Sequence, residues 1–85
     1  SAVIRVMSGA AAGREVALSK VVTTIGKPGV AVASITKRHK GHVLAHVEGP
    51  DRPLLNGTPM GEAPVPLKHG DRITLAGTEM QFEQG

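Results

Sequence analysis

Apolar residues in this chain recur at every second position, in short runs that stop at Gly, Pro, Asn or Asp. A period of two sends alternate side chains to opposite faces of an extended backbone, so the pattern predicts short, half-buried strands. Strands are expected at Val3–Met7, Glu15–Leu18, Val21–Ile25, Val30–Lys37, His42–Glu48, Leu54–Leu55, Val65–Leu67, Arg72–Leu75 and Glu79–Phe82. Turns fill the gaps at Ser8–Gly13, Pro28-Gly29, Gly49–Pro53, Asn56-Gly57, His69–Asp71 and Ala76-Gly77. Ala10-Ala11-Ala12 is the only helix-prone stretch, and glycines enclose it. The expectation is an all-β antiparallel sandwich, formed by one domain spanning residues 1–85.

Asn56-Gly57 is the strongest turn signal, because a type I′ hairpin turn needs positive φ at both central residues. Composition then removes several classes of function. Without Cys there are no disulfides, thiolate nucleophiles or Cys-based zinc sites. Phe82 is the only aromatic residue, which argues against a base-stacking platform for single-stranded nucleic acid. The formal charge of +3 is mild and scattered, consistent with an acidic partner but not with nucleic-acid binding. No apolar run approaches the roughly 18 residues of a membrane span. The Ser1-Ala2 start without Met points to a segment of a larger protein.

Four stretches, "GREVAL" (13–18), "TTIGK" (23–27), "LLNGTPM" (54–60) and "VPLKHGDRITLAGTEMQF" (65–82), give the chain a wider likeness. Together they resemble a forkhead-associated (FHA) domain, over most of the sequence. The resemblance implies an FHA-type β-sandwich whose loops at one end grip a phosphothreonine in a partner protein. It also implies a cytoplasmic signalling module with no cofactor and no catalysis. A phosphothreonine carries nearly two negative charges and three acceptor oxygens, which cations, a hydroxyl and loop amides can meet together. Ile25-Gly26-Lys27 matches the family's first motif with Lys in place of Arg, which keeps the charge and loses the bidentate fork.

Two alignments of the remaining motifs are open. In the first, Thr36-Lys37-Arg38-His39 stands for Ser-Arg-x-His and Asn56-Gly57 for the apical Asn-Gly. The phosphopeptide site would then be Lys27, Thr36, Lys37 and Asn56. The separations, ten residues from Gly26 to Thr36 and fourteen from Asn56 to Gly70, are shorter than the family's. In the second, "LLNGTPM" is a later hairpin, Gly49-Pro50-Asp51-Arg52 takes the apical loop, and Gly29–Val32 replaces Ser-Arg-x-His. Arg38–Gly41 becomes a hairpin turn at the far end, and only Lys27 and Arg52 remain to attract an anion. The first alignment implies a phosphothreonine reader. The second implies a phosphate-independent scaffold, similar to FHA-like domains of bacterial secretion and signalling assemblies.

Other residues invite chemistry less strongly. His42 and His46 would share a strand face but stand roughly 13 Å apart, too far to ligate one metal, so surface or half-buried roles are expected. His69 reads as a turn residue, and no motif supports a Ser–His nucleophile or a carboxylate pair. Lys37, Arg38 and Lys40 suit a solvated hairpin tip that discourages edge pairing as well as they suit a binding site.

Overall fold

The computed structural model describes residues 1–85 as ten antiparallel strands and no helix. In chain order they are β1 (Ala2–Val6), β2 (Glu15–Ala17), β3 (Val22–Lys27), β4 (Ala31–Arg38) and β5 (Gly41–Glu48). β6 (Leu54–Leu55), β7 (Thr58–Pro59), β8 (Val65–Pro66), β9 (Arg72–Leu75) and β10 (Thr78–Gln84) complete the set. One sheet runs β2-β1-β10-β9-β6-β7 and the other β3-β4-β5-β8. Every expected strand is present. The addition is β7, the return arm of the Asn56-Gly57 hairpin, which has too few residues to show a period.

Alternation builds the core between the sheets. Ile4, Ile73, Leu75, Met80 and Phe82 come from the six-stranded sheet, and Ile25, Ala33, Ile35 and Leu44 from the other. Phe82, Ile4, Ile35, Leu44 and Ile73 are the large side chains most completely withdrawn from water. Burying each such side chain contributes about 1.5–3 kcal/mol, the main source of stability in so small a domain. His42 departs from expectation: it lies on the inward face of β5, is buried, and packs its ring 5.4 Å from that of Phe82. Neither of its ring nitrogens has a hydrogen-bond partner.

Turns fix which side chains share an end of the sandwich. Asn56 (φ 52°) and Gly57 (φ 85°) both take the left-handed conformation that a type I′ turn requires. Ala76 (φ 51°) and Gly77 (φ 77°) do the same between β9 and β10, with Leu75 opposite Thr78. On the other sheet, Thr36 pairs with Val43 and Arg38 with Gly41, so His39-Lys40 is the tip of a tight β4–β5 hairpin. The β3–β4 turn closes through the Val30 amide donating to the Lys27 carbonyl at 2.9 Å.

Candidate functional site

The open end of the sandwich is formed by the β3–β4 turn, the β5–β6 loop and the β9–β10 turn. Lys27, Val30, Asp51, Arg52, Thr74 and Gly77 line a cleft of about 850 Å³ there. A second, more apolar recess of about 270 Å³ lies beside it, with Ile25, Leu75 and Met80 in its wall and Arg14 at its edge. Lys27 and Ala76 border both hollows, the apolar and the polar.

Backbone geometry explains why Lys27 is presented at this point. Gly26 has φ of +107°, and a Cβ there would collide with the Ala31 carbonyl and approach Leu75 Cδ2 to 2.8 Å. Only glycine lets β3 pass that close to β4 and β9 just before Lys27. Gly49 plays the matching part in the β5–β6 loop, with φ of +100° and its missing Cβ against the Val30 carbonyl. The Gly29 amide donates to Glu48 Oε1 at 2.7 Å, tying the β3–β4 turn to the end of β5. Arg52 is half-buried and donates from one guanidinium nitrogen to the Gly61 carbonyl at 3.1 Å, which anchors the loop while its other donors stay free.

The five candidate residues divide between the two ends. Lys27 and Arg52 meet in the cleft. Thr36 and Lys37 do not join them: Lys27 is opposite Ala31 on the β3–β4 ladder, whereas Thr36 is opposite Val22. The two positions are five residues apart along the strand, roughly 17 Å. Asn56 also lies away from Lys27, since its side chain donates to Asp71 Oδ1 at 3.0 Å and accepts from the Arg72 amide at 2.9 Å. Asp71 Oδ2 takes the Lys68 amide at 2.8 Å, so Asn56 clamps the β6–β7 hairpin onto the β8–β9 loop. The alignment that joins Thr36, Lys37 and Asn56 to Lys27 is therefore corrected: a tight hairpin sends the first two to the far end, and Asn56 is committed to holding a turn.

Sequence reasoning missed Val30, Thr74 and the Ala76-Gly77 turn as cleft residues, and Arg14 beside them. The β9–β10 turn was legible as a turn, but its place beside Lys27 depends on how the two sheets stack, which no local pattern encodes. No three His, Cys, Asp or Glu side chains converge in a way that would hold a metal.

Strong ion pairing lies elsewhere. Arg5 on the outer face of the six-stranded sheet donates to Glu83 at 3.1 and 3.0 Å and also pairs with Glu15. The hydrogen bond from Arg5, more than the remaining charges, holds the Glu83 carboxyl below its ordinary value, and Glu83 in turn raises Arg5. Compared with protein-family models and with curated proteins, the sequence matches none.

Proposed function

We propose that this domain is an FHA-type protein-interaction module that engages its partner at the open end of the sandwich without requiring phosphate. The observation that carries the reading is the separation of Lys27 from Thr36, Lys37 and Asn56. A phosphothreonine reader needs cation, hydroxyl and amide within a few ångströms of one phosphate. Here the cleft offers Lys27 and the free donors of Arg52, with the Asp51 carboxylate beside them and apolar walls at Val30, Leu54 and Pro59. That chemistry suits an extended partner segment in which a carboxylate neighbours an apolar side chain. Lys27 provides the charge contact, and the recess beside it takes the apolar group.

Fluorescence anisotropy with labelled, degenerate acidic peptides, each in threonine and phosphothreonine form, tests the proposal. The expected result is binding weakened by Lys27→Ala and tightened less than about threefold by phosphate, because its nearly two charges would meet only an exposed, solvent-screened cation. A gain beyond tenfold on phosphorylation would restore the phosphothreonine reading.

A further inference from the structure

Four strands form the edges of the two sheets, and three of them are poorly suited to further pairing. β7 and β8 are two residues long, and each ends in a proline, Pro59 or Pro66, that has no amide hydrogen to donate. β2 is three residues long and begins with Glu15. Short length, proline and charge are common ways for a sheet edge to resist pairing with another chain. β3 differs. Its six residues pair with β4 in an unbroken register, it contains no proline, and Lys27 at its end is its only charge.

The β3–β4 register shows which backbone groups stay open. The Lys37 amide donates to the Val21 carbonyl at 2.7 Å, so Val22 with Thr36 and Thr24 with Ser34 are non-hydrogen-bonded pairs of the ladder. The N–H and C=O of Val22 and Thr24 therefore point away from β4, and no strand lies on that side. The apolar recess adjoins this edge. Thr24, Ile25 and Lys27 of β3 line one side of it, and Arg14 and Val16 at β2 line another. Arg14 and Lys27 are its only charged residues, and neither forms an ion pair.

We propose that β3 is a strand-addition site for an extended partner segment that combines an apolar side chain with carboxylates. The segment pairs its backbone with Val22 and Thr24, seats the apolar group in the recess and brings carboxylates to Arg14 and Lys27. This inference rests on the reading that the open end engages such a segment, and it adds the course of the segment's backbone. Main-chain bonds supply affinity for any extended sequence, while the recess and the two cations select among them. A second copy of the chain suits the site less well. Its own edge, "VTTIGK", would bring a lysine and no carboxylate to the recess.

Amide hydrogen exchange on ¹⁵N-labelled protein, with and without excess of the degenerate acidic threonine peptides, tests the proposal. The Val22 and Thr24 amides are expected to exchange fast in the free protein and about tenfold or more slowly with peptide. Thr24→Pro removes an outward donor and leaves the bonds to β4 in place, because a proline is tolerated where the edge N–H faces solvent. It is expected to weaken binding about tenfold while the spectrum stays dispersed. Peptides N-methylated at every peptide bond make the same test on the unaltered protein, with the same loss expected. Arg14→Glu is expected to weaken binding about threefold. Unchanged exchange at Val22 and Thr24, with binding that still depends on Lys27, would overturn strand addition and leave recognition at the open end standing. No binding of the peptides would overturn both. Protection of the two amides that grows with protein concentration alone would give the edge to a second copy and overturn the proposal.

Discussion

Lys27 and Thr36 stand at opposite ends of one ladder, Lys27 across from Ala31 and Thr36 across from Val22. The hairpin that follows Thr36 turns back at His39-Lys40, so no loop brings its hydroxyl to the Lys27 ammonium. This separation keeps Thr36 and Lys37 out of the cleft beside Lys27, and several measurable consequences follow from the same backbone.

Gly26→Ala is expected to be among the most damaging single methyl additions. The new Cβ meets the Ala31 carbonyl and Leu75 Cδ2, and φ of +107° is itself unfavourable for alanine. Together these cost about 3 kcal/mol or more, out of roughly 4–12 kcal/mol for a domain of this length. Urea unfolding followed by far-UV circular dichroism measures the loss, since Phe82 is the only aromatic probe. Gly57→Ala is the control. Its Cβ meets nothing within 4 Å, so only the φ penalty of about 1 kcal/mol applies.

Asn56→Ala removes the donor to Asp71 and the acceptor of the Arg72 amide, and puts alanine at φ of 52°. A loss of about 1–2 kcal/mol is expected. Asn56→Gly keeps the conformation and loses only the bonds, so its midpoint should fall between those of parent and alanine variant. Affinity for a cleft ligand should be unchanged in both variants.

His42→Leu is expected to stabilise the domain by about 1 kcal/mol. It removes two buried nitrogens that have no hydrogen-bond partner and keeps apolar packing on Phe82. A higher urea midpoint with an unchanged slope would agree. A drop of more than about 1 kcal/mol would mean that the imidazole makes contacts its geometry does not reveal.

The pH dependence of stability has one identifiable contributor on the six-stranded face. Glu83 titrates below its ordinary value of 4.5, chiefly through the Arg5 hydrogen bond. Its stabilising contribution is thus complete above that value and is lost as pH falls through the lower, native one. Glu83→Gln should flatten the fall in urea midpoint between roughly pH 5 and pH 3 and leave its shape above pH 5 unchanged. Equal slopes in both proteins over the acid range would count against the pairing.

The strands and most turns were legible because period-two alternation and Gly, Pro and Asn punctuation are local signals. Asn56-Gly57 announced a hairpin and formed one, with β7 too short to register. The site was only half legible. Lys27 stood out by motif, and counting back from "LLNGTPM" brought Arg52 to the loop that does share its cleft. Thr36-Lys37-Arg38-His39 has the right residue types for a phosphate site, but residue types do not record which end of a strand a hairpin occupies. The burial of His42 was hidden for a related reason: its inward direction depends on register with Lys37, and a histidine at a strand start gives no sign of facing a core phenylalanine.

The claim that recognition occurs at the Lys27–Arg52 end, independently of phosphate, is tested most directly by mapping amide shifts during titration. Acidic peptide pools with threonine and with phosphothreonine are added to ¹⁵N-labelled protein. The predicted result is one cluster of shifts at Lys27, Val30, Asp51, Arg52, Ala76 and Gly77, of similar size with both pools and absent in Lys27→Ala. Shifts that appear only with phosphothreonine and gather at Thr36, Lys37 and Asn56 would contradict it.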